Sequence, residues 1–191
     1  DLVALFLDGK TFAEDTMVVA LGVTLTGEKV VLGFVETSTE NGKVCTQFLE
    51  GLKARGLRHE DGLLVIIDGG KGLHAGVEKA FGSAAAIQRC QWHKRENVLA
   101  YLGGTQQAAM RRKLQAAYSQ PTYEGAKTAF KKIRSELAEI NLSAVTSLDE
   151  GFDETLTLHR LGLFAELGVS FKTTNCLESI NGAVEQRTGK I

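Results

Sequence analysis

A chain of 191 residues, 43% of them apolar, is long enough to bury a full core, which excludes disorder as its default state. Lysine and arginine total 22 against 23 aspartates and glutamates, a net charge of −1, so bulk charge argues for no nucleic-acid partner and any such contact must come from local patches. No apolar run approaches the ~18 residues of a membrane span, Asp1-Leu2-Val3-Ala4-Leu5-Phe6 lacks a basic stretch and a cleavage site, and Cys45, Cys90 and Cys176 are too few for a disulfide framework. A cytoplasmic protein with no membrane partner is expected.

In chain order, Leu2 to Leu7 is a continuous apolar run ending in Asp8-Gly9. Met17 to Thr24 and Lys29 to Thr37 are β-branched runs split by the turn Thr26-Gly27. Val44, Phe48, Leu49 and Leu52 space a helix that closes at Gly56. Leu63 to Ile67 is a second fully apolar run, ending in Asp68-Gly69, followed by a helix carrying Leu73, Val77, Ala80 and Phe81 and a short strand near Ala85 to Arg89. Fully apolar runs suit strands covered on both faces, which places the first and fourth strands in the middle of a sheet with helices packed over it. The fold class is α/β.

Beyond Trp92 the pattern turns helical, with breaks at Gly103-Gly104 and Ser119-Gln120-Pro121. Tyr123, Ala126, Phe130, Ile133, Leu137 and Ile140 form one buried stripe. Another helix is expected to start on a Ser147/Glu150 capping box and to end with His159, Arg160 and Gly162. The organisation is therefore a core over residues 1–91, an all-helical insertion over 92–171, and a last helix of the core over 172–191.

Asp8 and Asp68 share one local setting, each closing a buried apolar strand and preceding glycine. Taken singly, Asp-Gly is ordinary turn chemistry. As a matched pair on adjacent parallel strands, the two carboxylates would emerge at one sheet edge and could share a divalent cation. A third acid would complete such a site, and Glu178 in Thr174-Asn175-Cys176-Leu177-Glu178-Ser179 is the candidate. Asn175 as N-cap with Glu178 three residues on is also a capping box, and spacing leaves both readings open.

Other motifs carry less. Cys90-x-x-His93 has the spacing of half a zinc site with no second pair to complete it. Trp92 between them is read as core. Arg111-Arg112-Lys113 and the helical face of Lys127, Lys131 and Arg134 could hold phosphates, although a solvated face accounts for them more simply. His93-Lys94-Arg95 is the better DNA-contact candidate. Gly69-Gly70-Lys71-Gly72 lacks the spacing of a nucleotide-binding loop, and its glycines are read as letting the chain turn sharply after Asp68.

A resemblance covers nearly the whole chain. Leu7-Asp8-Gly9, Val19-Ala20-Leu21-Gly22-Val23-Thr24, Glu36 with Thr39-Glu40-Asn41, Ile67-Asp68-Gly69 with Lys71-Gly72, Gln88-Arg89-Cys90 with His93-Lys94, and Thr174-Asn175 with Glu178-Ser179 and Asn181 are similar to a bacterial Mutator-like transposase. The resemblance implies an RNase H-like mixed sheet, three antiparallel strands then parallel ones, with flanking helices and a helical insertion before the last catalytic helix. It implies Asp8, Asp68 and Glu178 as a catalytic and metal-binding Asp-Asp-Glu triad, holding two Mg²⁺ or Mn²⁺ ions for DNA strand cleavage and strand transfer. It implies a supporting role for Cys90, His93 and Asn175. DNA as partner, self-association into a dimer or higher oligomer, and action at the bacterial nucleoid follow from the same likeness. Members of that family are longer on both sides, so this chain is expected to be part of a longer protein. A phosphatase of the haloacid-dehalogenase type is the weaker alternative, because Phe6 stands where its second acid belongs. An interaction module descended from a transposase would be favoured by loss of a triad acid, and all three are present.

Overall fold

The structure, a computed structural model, describes residues 2–12, 15–37 and 41–177. In chain order the elements are β1 (Leu2–Phe12), β2 (Asp15–Thr24), β3 (Lys29–Thr37), α1 (Gly42–Ala54), β4 (Leu63–Ile67), α2 (Lys71–Phe81), β5 (Ala85–Arg89), α3 (Gln91–Leu99), α4 (Gly104–Tyr118), α5 (Tyr123–Ile140), α6 (Leu142–Asp149), α7 (Phe152–Thr155), α8 (Thr157–Arg160) and α9 (Phe164–Phe171). The strands make one five-stranded sheet in the order β3-β2-β1-β4-β5. β1 is antiparallel to β2 and β2 to β3, while β1 runs parallel to β4, so the sheet is mixed. The chain divides into two compact units, residues 1–87 with 174–191, and residues 88–173.

In the first unit the two fully apolar strands lie at mid-sheet, as their composition requires. Leu5, Leu7, Leu63, Val65 and Ile67 share one core with Val18, Ala20, Cys45, Leu49, Leu52, Leu73 and Val77, which brings α1 and α2 onto a single sheet face. Ala4, Phe6, Leu64 and Ile66 alternate with them and are buried as well. Each such side chain contributes roughly 1.5–3 kcal/mol when fully buried. Asn41 starts α1, its side-chain oxygen accepting the Val44 amide at 3.0 Å.

One boundary differs from the sequence reading. β1 does not stop at Asp8 but continues to Phe12, because residues 8–12 pair with Val19 back to Asp15 of β2. The apolar run ends where β1 loses its β4 neighbour, and the strand persists on its other neighbour alone.

The second unit is helical after β5 among the described residues. Its core gathers Val98, Leu99, Leu102, Met110, Leu114, Ala117, Tyr118, Ala126, Phe130, Ile133, Leu137, Val145, Leu148 and Leu156. The α5 stripe packs as its spacing dictates, with Thr122 capping the Gly125 amide at 3.1 Å; only Ile140 at its end is exposed. The expected Ser147/Glu150 capping box does not form. Asn141 starts α6 instead, its Oδ1 accepting the Ser143 amide at 2.8 Å and the Ala144 amide at 3.3 Å, and Ser147 lies inside that helix. Gly151, at φ +60°, ends it.

A buried polar network joins β5 and α3 to this turn. The Gln88 amide donates to the Thr155 carbonyl at 2.9 Å and accepts from the Leu158 amide at 3.0 Å, while Gln91 donates to the same Thr155 carbonyl at 2.9 Å. Lys94 Nζ donates to the carbonyls of Ser147 at 2.7 Å and Glu150 at 2.5 Å and lies 3.2 Å from the Glu150 carboxylate. Arg89 donates to the Glu150 carbonyl at 3.1 Å and pairs with Glu150 and Glu154 at 3.5 and 3.8 Å. The Arg89 guanidinium fills the space a Cβ at residue 151 would need, 1.8 Å away, so glycine is required there on both steric and φ grounds.

Candidate active site

The register places the two aspartates side by side. Leu7 of β1 pairs with Ile67 of β4 in parallel, so Asp8 of β1 and Asp68, the residue just after β4, each follow a paired residue. Leu7 and Ile67 both belong to the α1–α2 core, and alternation turns Asp8, still within β1, to the opposite face. Asp8 is held rigidly, with β1 paired on both sides up to Leu7 and with Val19 opposite Asp8 itself. Its side chain is 6% exposed, unusual for a carboxylate and a sign of a specific environment.

Asp68 is half-buried at the strand end. Its Oδ1 accepts the Gly70 amide at 2.8 Å, which orients the carboxylate, and the tight return is made by Gly69 at φ +105°. The Asp-Gly-Gly sequence therefore has a local job: glycine turns the chain and the Gly70 amide fixes one carboxylate oxygen. The α2 helix then starts at Lys71 with no side-chain cap.

Glu178 lies outside the described residues. The chain just before it belongs to the same unit as the aspartates. Residues 175–177 are helical, Thr174 and Leu177 are buried, and the Leu177 amide donates to the Thr174 carbonyl at 2.8 Å. Burial holds the Cys176 thiol above its usual value; the Lys29 ammonium opposes this, while the Asp8 carboxylate adds to it. The Asn175/Glu178 capping box includes residue 178 and so falls outside the described residues. Among the described residues no three acids, histidines or cysteines converge as a metal site.

The cation candidates fare unevenly. Lys94 is only 3% exposed and bound within the polar network, so it does not present its charge to DNA; the physical reason is the trio of oxygens from Ser147 and Glu150 that replaces its water. Burial pushes the Lys94 ammonium below the usual lysine value, and the nearby Arg89 adds to that. Burial works to raise the Glu150 carboxyl, but Arg89 and Lys94 outweigh it and leave it lowered. Arg95 and Arg111 both bind Glu96, and Lys113 binds Glu136, whereas Arg112 is exposed. Cys90 is buried immediately before α3, its carbonyl accepting the Lys94 amide, and His93 is half-buried with its ring edge-on to Trp92 at 4.8 Å. Trp92 itself is 42% exposed, against the expectation of a core residue. On α3 the inward positions are Gln91, Lys94 and Val98, one helical face that leaves 92 outside. The sequence reading missed Arg89, Gln88 and Gly151 as the anchors of this network; the signal available was a run of polar residues at the end of a strand.

An α/β unit built on a mixed five-stranded sheet defines the general class. The chain belongs to the Mutator family of transposases: the family described as "Transposase, Mutator family" matches residues 5–191. It is 28% identical over 193 residues to the transposase for insertion sequence element IS905 of Lactococcus lactis, covering 97% of this chain and 48% of that protein. It is 29% identical over 171 residues to the transposase for insertion sequence element IS256 in transposon Tn4001 of Staphylococcus aureus, covering 88% and 42%. A transposase for insertion sequence element IS6120 of Mycolicibacterium smegmatis is 27% identical over 172 residues, covering 90% and 52%. The chain spans about half the length of the curated relatives it matches.

Proposed function

We propose that residues 1–87 and 174–191 form the catalytic core of a DDE-type transposase with an RNase H-like fold, and that residues 88–173 are its helical insertion. The observation that supports this reading is the parallel register Leu7↔Ile67, after which Asp8 and Asp68 are the next residues on the two neighbouring chain segments. The strand order β3-β2-β1-β4-β5 is compatible with that fold. Glu178 is the third acid of the proposal, supported by the family match that runs through residue 191 and by the Thr174-Asn175, Glu178-Ser179 and Asn181 stretch.

The donor set fits a hard divalent cation. Asp8 and Asp68 offer carboxylate oxygens, the ligands Mg²⁺ and Mn²⁺ prefer. Two such ions, when bound, would activate the attacking oxygen and neutralise the leaving one in phosphoryl transfer. Asp8, fixed by strand pairing, and Asp68, oriented by the Gly70 amide, hold their carboxylates without rearrangement, and preorganisation of this kind is the protein's main contribution to such chemistry. The substrate of this reading is DNA at the ends of a mobile element and at its target, acted on in the bacterial cytoplasm at the nucleoid, with self-association of the transposase bringing two ends together. No helix among the described residues is long and apolar enough to cross a membrane.

The test is cleavage of labelled element-end DNA by the longer protein that contains this chain, with Mg²⁺ or Mn²⁺. Glu178→Gln separates the two roles of that residue, since glutamine keeps a helix cap but removes an anionic ligand. Loss of cleavage and joining with unchanged circular dichroism supports the triad. Near-normal cleavage removes Glu178 from it.

A further inference from the structure

Resting on the reading of DNA as substrate, we propose that the groove between α5 and the α6–α7 turn of the helical unit binds a single-stranded stretch of DNA. The groove is an open cavity of about 290 Å³ lined by Lys127, Phe130, Lys131, Arg134, Leu148 and Phe152, with Asp149 at its side. Its floor is apolar: Phe130 and Leu148 belong to the buried core, and the Phe152 ring stands edge-on to Phe130 at 5.1 Å. Its rim is cationic. Lys127 and Lys131 lie one helical turn apart, both exposed, and neither forms an ion pair with a described residue. Lys127 is instead held over the Tyr123 ring, 5.1 Å from its centroid.

Asp149 does not oppose this charge, because Arg134 holds it with hydrogen bonds of 2.9, 3.1 and 2.8 Å. Lys94, Arg89, Arg95, Arg111 and Lys113 all have acidic partners, whereas Arg112, Lys132 and Arg160 are exposed like the groove lysines; what sets Lys127 and Lys131 apart is the aromatic floor they flank, with no ion pair to a described residue. A cationic track beside aromatic side chains is the combination that suits unpaired strands, whose phosphates meet the cations while bases turn onto the rings. Duplex DNA keeps its bases stacked away from such a floor. The unit as a whole has twelve lysines and arginines against nine acids, the sign such a partner requires.

The experiment measures binding of a labelled single-stranded oligonucleotide to the full chain by fluorescence anisotropy over a salt series, in EDTA so that no cleavage intervenes. Lys127→Ala with Lys131→Ala should flatten the slope of log affinity against log salt by about 1.4, two phosphate contacts' worth. Phe152→Leu, which keeps the floor apolar but removes its ring, should weaken single-strand binding about fivefold or more. Arg58→Ala, on an exposed cation of the other unit, should leave the slope unchanged. Thermal melts confirm that each variant is folded. An unchanged slope in the double-lysine variant overturns the groove and makes it a solvated face. A flattened slope with equal loss for duplex and no effect of Phe152→Leu overturns the single-strand assignment in favour of a duplex-backbone surface. If the unsubstituted chain shows no salt-dependent binding, the DNA reading itself fails.

Discussion

The two units solve the problem of charged side chains in opposite ways. Residues 1–87 with 174–191 have ten basic and fourteen acidic side chains, and Asp8 and Asp68 there each follow one of the paired residues Leu7 and Ile67. The helical unit has a basic excess yet answers many of its charges internally, Arg89 and Lys94 with Glu150, Arg111 with Glu96, Lys113 with Glu136. One unit carries an acidic excess, with the two aspartates of the proposed site. The other uses ions and carbonyls as internal ties.

The sharpest break of that contrast is chemical. Asp68→Asn, nearly isosteric, should reduce metal-dependent DNA cleavage by the longer protein on the order of 10²–10³-fold or more, the scale of removing a preorganised charge-stabilising group. The folded state should survive, because the asparagine Oδ1 can still accept the Gly70 amide. A cleavage rate within a few-fold of the parent, measured on labelled element ends, would remove Asp68 from the site.

In the helical unit the same kind of change should damage the fold and not the chemistry. Lys94→Met leaves the carbonyls of Ser147 and Glu150 without their donor and is expected to cost about 3 kcal/mol in urea unfolding, the range for breaking a buried ionic contact. Gly151→Ala should cost a comparable amount, since it forces both a left-handed backbone and a clash with Arg89. If either variant unfolds at the parent's denaturant midpoint, the network is not what ties α3 to the α6–α7 turn.

A smaller effect belongs to His159. Its ring is buried, stacked on Phe164 at 3.7 Å, with Nε2 donating to the Gln120 carbonyl at 3.0 Å. Burial lowers its pKa below the ordinary histidine value, against the opposing influence of backbone hydrogen bonds. The neutral form is the one folded, so its stability is fully present above the unfolded pKa near 6.5 and is lost as pH falls through the lower folded value. Melting temperature should therefore drop as pH falls below about 6.5 and do so less in His159→Phe. The smallest expected effect is that of Asp149→Asn: Arg134 and Asp149 pair in solvent, and the melting temperature should not move beyond error.

Much of this was legible in the sequence. Apolar runs at Leu2 to Leu7 and Leu63 to Ile67 announced buried central strands, the stripe from Tyr123 to Leu137 announced α5, and the matched Asp-Gly settings singled out Asp8 and Asp68, because period and turn chemistry are local properties. Only the tertiary structure decided that Leu7 pairs with Ile67, the residues just before the two aspartates, since register depends on contacts some 60 positions apart. It also decided the fate of Lys94 and Trp92. Nothing local distinguishes a lysine bound for solvent from one whose water is replaced by oxygens 53 and 56 residues further along, and the rotation of α3 that buries the lysine is what leaves the tryptophan outside.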